Sequence, residues 1–175
     1  MSKKSGHILS IKRILLAIII MSVTGIINES LAQQMPPRPV IVTVNPSQPL
    51  AFGAFALSLS GGTVTVNTDG SRSYTGNIFL IGMGYPYSPA MFYIRANPGT
   101  IISLLNPAPS ILTGSGGGSM TLTIDSTDPT TPFVTTVPWT ELTTVLVGGT
   151  LTVGSLASNP PGSYTGTFNI IFVQE

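Results

Sequence analysis

The chain lacks cysteine altogether, and after residue 32 it also lacks histidine and lysine. Without cysteine no disulfide can form, so packing and backbone pairing alone must hold the fold. Without histidine or cysteine, the usual zinc ligand sets and the Ser/His or Cys/His nucleophilic pairs cannot be built. The absence of lysine excludes Schiff-base chemistry and leaves only carboxylates for catalysis. We therefore expect no catalytic residues, no cofactor and no metal site, and a protein that is not an enzyme.

Charge is also scarce. The full chain carries seven Lys and Arg against six Asp and Glu, a formal net charge of +1. Four of the cations precede residue 14, so residues 33–175 keep three arginines against five acids, a net charge of −2. Phosphate binding needs clustered Lys and Arg, so no nucleic acid is expected as a partner. Sheets commonly use charge to discourage edge pairing, and this chain barely does so, which favours assembly over a free monomer.

The N-terminal segment has the pattern of a signal peptide. Four cations between residues 3 and 13 precede an apolar run at residues 14–20, and Ser30-Leu31-Ala32 supplies the small residues that a signal peptidase reads. We predict cleavage after Ala32, because the apolar run is too short and interrupted for a spanning helix. Residues 33–175 are then expected in the periplasm, at the cell surface or outside the cell, with no stable membrane span.

Short strands dominate the rest of the sequence. Stretches rich in Val, Ile, Thr, Phe and Tyr are bounded by Gly, Pro, Asn, Asp and Ser, a spacing typical of sandwiches and barrels. No long window keeps the apolar stripe of a helix. The fold class predicted is all-β, an antiparallel β-sandwich. The predicted strands cover residues 39–44, 54–59, 62–67, 76–81, 90–96, 100–105, 119–124, 133–137, 143–146, 150–153 and 164–173, with loops at 115–119 and 125–132.

One phrase, Ser-Tyr-Thr-Gly, occurs twice, at residues 73–76 and 163–166. Each copy follows a Gly-Gly-Thr start and an alternating stretch, at residues 61–66 and 148–153. Alternation with a period of two places the aliphatic residues on one face and the threonines on the other, as in a half-buried strand. The order strand, turn, strand predicts two equivalent hairpins.

Five pieces of sequence run in order between residues 50 and 173. They are LAFGAF at 50–55, GGTVTV followed by GSR at 61–72, LTGSGGGSMTLT at 112–123, VGGTLTVG at 147–154 and PGSYTGTFNIIF at 161–172. In these pieces the chain resembles a family of exported bacterial proteins known as a domain of unknown function, with relatives among fimbrial and pilin-like β-sandwich proteins. The resemblance implies an immunoglobulin-like or pilin-like sandwich at the cell surface. It implies no catalytic residues, because that family has no agreed activity.

The predicted organisation is a signal peptide at 1–32, an extended N-terminal segment at 33–49 and a β-sandwich domain at 50–175. In pilins assembled by donor strands, an alternating apolar extension completes the open sheet of the neighbouring subunit. The residues of the extended segment that fit such an assembly strand are Val40, Val42 and Val44. The residues of the C-terminal strand that could bound the accepting groove are Tyr164, Phe168, Ile170 and Phe172. The alternative is an ordinary first strand that pairs within its own sheet.

Three aromatic residues in predicted loops are candidate ligand contacts: Tyr85, Tyr87 and Trp139. Exposed rings could stack on sugar faces, whereas burial in the core is the commoner fate of aromatics in such apolar company. Asp125 and Asp128 form the nearest carboxylate pair, and ordinary turn chemistry predicts them better than a calcium site.

Together these features predict an exported, non-enzymatic structural or adhesive surface protein, a fimbrial or pilin-like subunit. Its expected partners are further copies of itself or other surface or pilus subunits. The alternative is a carbohydrate-binding or adhesin module that acts as a monomer on glycans.

Overall fold

The computed structural model describes residues 38–82, 84–105 and 107–175. These residues form strands and loops without any helix, and so include no helix that could cross a membrane. The predicted signal peptide lies outside the described residues. The strands are β1 (Ile41–Val44), β2 (Ala51–Phe52), β3 (Ala54–Val66), β4 (Arg72–Ile81), β5 (Tyr87–Ser88), β6 (Ala90–Arg95), β7 (Ile101–Leu105), β8 (Ser110–Gly114), β9 (Ser119–Asp128), β10 (Phe133–Val134), β11 (Thr143–Val153), β12 (Tyr164–Thr165) and β13 (Ile171–Gln174). The predicted all-β fold with antiparallel sheets is confirmed.

The largest sheet has eight strands and is organised around β11. One edge of β11 pairs with β9, and the sheet continues from there through β8 to β12. The other edge is shared, because residues 143–147 pair with β6 and residues 149–153 pair with β3. β1 lies outside β6 and β4 lies outside β3. β1 and β4 are thus the outermost described strands on that side.

The hydrophobic core lies on the inner face of this sheet. Every second residue of β11 is buried there, including Val145, Val147 and Leu151, as the period of two requires. The ring of Phe92 on β6 meets the rings of Phe168 and Phe172 edge to face, with centroids 6.4 and 5.9 Å apart. Phe172 belongs to β13 of the three-stranded sheet β10-β7-β13, so this sheet packs over the inner face.

The outer face of the large sheet is lined by threonines, as the alternation predicts. The hydroxyls of Thr63 and Thr75 are 2.7 Å apart, and those of Thr65 and Thr150 are 2.8 Å apart. Such hydrogen-bonded threonine pairs on neighbouring strands each stabilise a sheet by about 0.2–1 kcal/mol.

The hairpin of β3 and β4 folds back on itself. Residues 62–66 of β3 pair with 72–76 of β4, and residues 54–57 pair with 78–81, with a bulge between the two halves. Arg72 lies opposite Val66, yet its guanidinium donates hydrogen bonds to carbonyls at the far end of the hairpin. A straight strand would separate those ends by about 40 Å. The bulge therefore bends the hairpin so that its two halves face each other.

Glycine pairs explain where the predicted strands merge. Residues 54–59 and 62–67 form one strand, β3, and residues 143–146 and 150–153 form one strand, β11. The sequence pattern predicts a strand start at each Gly-Gly, whereas both pairs lie inside strands. β9 also runs on to Asp128, into the predicted loop at 125–132, because its end pairs with β11.

The predicted pair of equivalent hairpins holds for the first copy only. In that copy β3 and β4 pair directly, but in the second copy β12 pairs with β8 and β11 pairs with β3. The predicted C-terminal strand at 164–173 is also split, since β12 belongs to the eight-stranded sheet and β13 to the three-stranded sheet. β2, β5 and β8 have no counterpart among the predicted strands.

Candidate functional site

An apolar cleft of about 590 Å³ lies between the folded-back half of β3 and the inner face of the large sheet. Residues 52–57 form one wall, Leu112, Met120 and Leu151 lie opposite, and Leu156 with residues 159–164 closes one end. Of the described residues that line the cleft, none carries a charge. This lining suits an aliphatic or aromatic group better than an ionic ligand.

Arg72 links the strands that form the wall of the cleft. Its Nη1 donates to the carbonyls of Phe52 at 2.8 Å and Ala54 at 3.2 Å, and its Nη2 donates to the carbonyl of Ile81 at 3.3 Å. The guanidinium carbon lies 4.4 Å from the ring centroid of Tyr87, within cation–π range. One cation therefore joins β2, β3, β4 and β5. The sequence offered no signal for this role beyond an arginine after a turn.

The candidate assembly strand Val40, Val42 and Val44 lies in and just before β1. β1 pairs antiparallel with β6 of its own chain, with Val42 opposite Ile94 and Val44 opposite Phe92. All four side chains of β1 are exposed, and Val40 alone of the three valines packs partly against the core. The predicted domain boundary at residue 50 would leave β1 outside the domain, although β1 pairs with β6 of the large sheet. β1 is therefore attached to the sheet mainly by its backbone.

The candidate groove residues divide between two places. Tyr164 lines the cleft, and its hydroxyl donates to the carbonyl of Pro160 at 2.8 Å. Phe168 and Phe172 pack on Phe92, and Ile170 is half-buried against the core. The predicted alternation of the four residues is present, but only Tyr164 contributes to the cleft.

The three candidate ligand aromatics are not buried. Tyr85 is 68% exposed at the rim of the cleft, and Tyr87 is 45% exposed with one face covered by Arg72. Trp139 is half-buried in the loop before β11, where the guanidinium carbon of Arg38 lies 5.1 Å from its ring centroid. Tyr85 is thus the ring best placed to meet a ligand.

Two of the acidic residues, Asp69 and Asp125, have ordinary structural partners. Asp125 accepts a hydrogen bond from the hydroxyl of Thr150 at 2.5 Å. Hydrogen bonds from Ser71, first from its hydroxyl and then from its backbone N–H, lower the pKa of the exposed Asp69. Within the ranges that the structure describes, no three His, Cys, Asp or Glu side chains group as metal ligands would.

An exposed aliphatic face was missed by the sequence reasoning. It lies on the outer side of the three-stranded sheet and comprises Ile101, Leu105, Val134, Ile171 and Val173. The run of apolar residues at 101–105 was a usable signal, because such a run places apolar side chains on both faces of its strand. Exposed apolar patches of this kind commonly mark interaction sites.

The strands and surfaces define an all-β domain of antiparallel sheets with an uncharged cleft and exposed apolar strands. The chain belongs to the family described as Domain of unknown function (DUF4402), whose model matches residues 42–173. The match begins within β1 and ends within β13, and it confirms the resemblance to a family of unknown function. Comparison with curated proteins and with solved structures gave no match.

Proposed function

We propose that the protein is a non-enzymatic structural or adhesive protein of the cell exterior, a fimbrial or pilin-like subunit that joins its neighbours through β1. In this proposal residues 1–32 are a cleaved signal peptide, and the described sheets form an immunoglobulin-like or pilin-like sandwich. The observation that carries the proposal is the exposure of β1.

A strand at the edge of a packed sheet normally turns every second side chain towards the core. In β1 the exposed fractions are 48% for Ile41, 40% for Val42 and 59% for Val44, so neither face is covered. Covering these aliphatic side chains with a second chain would contribute about 25 cal/mol per Å² of apolar surface. A partner chain would thus bury apolar side chains of β1 that its own fold leaves exposed.

Two further features support self-assembly. The cleft is apolar and uncharged, as an acceptor for alternating apolar side chains should be. The aliphatic face of the three-stranded sheet offers a second contact surface.

The test uses residues 33–175 with Val42→Thr and Val44→Thr together. Threonine keeps the β-branched shape, and the sites are exposed, so the free energy of unfolding should change by less than about 0.5 kcal/mol. We expect the parent protein to form oligomers or filaments in light scattering and electron micrographs, and the double variant to lose them.

The matched control is Leu59→Thr, since Leu59 is 92% exposed but lies outside β1. It should assemble like the parent. A parent protein that stays monomeric at high concentration would remove the proposal, and so would undiminished assembly of the double variant or of a chain that lacks residues 39–45.

A carbohydrate-binding or adhesin module is the second candidate, favoured by the exposure of Tyr85 beside the cleft. Binding on a glycan array should then fall in Tyr85→Ala and persist in Tyr74→Ala, an exposed tyrosine on β4. The absence of any glycan bound by the parent protein would discard this candidate.

A further inference from the structure

β1 and β4 have outer edges that no described strand pairs with. Neither edge is protected in the usual ways, since residues 41–44 and 72–76 contain no proline and their one charged residue is Arg72. The two Nη atoms of Arg72 donate to carbonyls of its own chain. Exposed apolar side chains flank both edges, among them Val42, Val44 and Tyr74. Both edges are therefore open templates for another strand.

The strand registers place the outer edges of β1 and β4 at the same distance from β11. Val42 and Val44 reach Thr143 and Val145 of β11 through β6. Ser73 and Thr75 reach Thr150 and Thr152 of the same strand through β3. Each edge is thus two strands out from β11, on the same side of the sheet.

The two edges also run in the same direction. β1 is antiparallel to β6 and β4 is antiparallel to β3, while β6 and β3 are both antiparallel to β11. β1 and β4 therefore both run parallel to β11, one beside its first half and one beside its second. Along β11, Val147 lies midway between the residues that align with β1 and those that align with the start of β4.

We propose that two copies of this chain form a two-fold dimer in which β1 of each copy pairs antiparallel with the start of β4 of the other. The proposal rests on the proposed self-assembly through β1 and names the surface that receives it. A two-fold axis perpendicular to the sheet at the level of Val147 brings each β1 onto the other copy's β4, as an isologous interface requires. The two eight-stranded sheets then join into one.

Face matching sets the register. Thr43 and Ser73 both lie on the outer face, because they align with Thr144 and Thr150 of β11. Val42 and Tyr74 both lie on the inner face, where they align with buried residues of β6 and β3. The two-fold axis at Val147 pairs Thr43 with Ser73 and Val42 with Tyr74 of the other copy. Val44 then falls opposite Arg72, the one charged residue of the contact, whose Nη atoms donate to carbonyls of its own chain. Only a second copy presents both edges at the matching spacing.

Disulfide trapping tests this pairing, because the sequence contains no cysteine of its own. Thr43→Cys and Ser73→Cys are made in separate chains of residues 33–175 and mixed under mild oxidation. Directly opposite residues on antiparallel strands have Cβ atoms about 4.5–5.5 Å apart, close to the separation that a disulfide needs. We expect a cross-linked dimer in the mixture and none in either variant alone. Thr165→Cys, exposed on β12 at the opposite edge of the sheet, is the control partner and should give none with Thr43→Cys.

Other outcomes separate this inference from the proposed function. Cross-linking of Ser73→Cys with itself would mean β4–β4 pairing and would overturn the dimer. Cross-linking of Thr43→Cys to Tyr93→Cys of a second chain would mean exchange of β1 onto the neighbour's β6, which keeps the proposed function and discards this dimer. Thr43→Cys is also mixed with Thr75→Cys to test a shifted register. If sedimentation shows oligomers but neither mixture gives a cross-link, the proposed function is likewise kept and this dimer is discarded. A purely monomeric protein would discard both.

Discussion

Replacing Arg72 by alanine should destabilise the bent hairpin of β3 and β4. The side chain reaches three carbonyls on three different strands and covers one face of Tyr87. Alanine leaves those carbonyls without their donor at the point where β2, β3 and β4 converge. The native state should therefore lose stability, while the large sheet keeps its own pairing.

The size of the loss follows from these contacts. A hydrogen bond to a charged group contributes about 1.5–3 kcal/mol net, and an exposed cation–π contact about 0.5–1 kcal/mol. The three bonds share one half-exposed guanidinium and do not add, so we expect Arg72→Ala to lower the free energy of unfolding by about 3 kcal/mol. For a domain of this size, that corresponds to a Tm lower by about 10 °C. Arg72→Lys keeps the charge but not the planar fork, and should recover less than half of the loss.

Urea unfolding followed by the fluorescence of Trp139, the single tryptophan, measures these differences. Arg95→Ala on the outward side of β6 removes the same charge elsewhere, and should cost less than about 1 kcal/mol. An Arg72→Ala protein within about 1 kcal/mol of the parent would refute the reasoning, as would Arg72→Lys indistinguishable from the parent.

Two further predictions concern buried and exposed hydrogen bonds. Asn159 is buried, its side-chain oxygen accepts from the N–H of Gly154 at 2.5 Å, and its amide donates to the carbonyl of Ser119 at 2.7 Å. Asn159→Ala should therefore lower the free energy of unfolding, measured in urea, by about 2–3 kcal/mol. Asn159→Asp keeps only the acceptor and should also lower it. Asp69 has a lowered pKa, so its contribution is present above the pKa of the unfolded chain and is lost as the pH falls through the folded-state pKa. The stability difference between the parent and Asp69→Asn, from thermal unfolding, should therefore be largest near neutral pH and shrink below about pH 4; a difference that grows on acidification would contradict the assignment.

The period of two in the sequence was enough to predict strands and their buried faces. The Thr and Val alternation at 63–66 and at 150–153 placed the valines and Leu151 inside and the threonines outside, as observed. The glycine pairs were misinterpreted because their cause is not local. A Cβ on Gly61 would collide with the carbonyl of Val153, and one on Gly148 would collide with Ser126. Only the approach of a distant strand reveals why glycine is needed there.

The candidate site was less accessible to sequence reasoning, since it depends on which strands are neighbours. Alternation marked Val40, Val42 and Val44 as a strand, but it could not show that both faces of β1 stay exposed. The exposure of β4 follows from β3 taking its place beside β11, a pairing between residues about 85 positions apart in the chain. Arg72 acts on carbonyls brought near by the bend, which no local pattern encodes.

The repeated Ser-Tyr-Thr-Gly now has a structural meaning other than two hairpins. In both copies the regular strand pairing is interrupted after the glycine. After Gly76, residues 78–81 pair with the half of β3 that forms the wall of the cleft, and after Gly166 the chain crosses to β13. Both glycines lie against a neighbouring backbone, since a Cβ would come within 2.5 Å of the carbonyl oxygen of Gly61 or Ile111. The phrase marks a point where a strand crosses its neighbour closely and its regular pairing with that neighbour is interrupted.

Gly166→Ala tests this interpretation by steric contact alone, because Gly166 does not have the positive φ of Gly76. The added methyl would meet the carbonyl oxygen of Ile111 and, at 3.1 Å, the Cα of Leu112, both parts of the backbone that cannot rotate away. Overpacking of this kind costs about 1–3 kcal/mol, so urea unfolding should show a loss of about 2 kcal/mol. Gly82→Ala is the matched control, since nothing lies within 4 Å of its Cβ position, and it should be neutral or slightly stabilising. Equal stability of the two variants would mean that the crossing does not require glycine, and the shared phrase would then have no common structural cause.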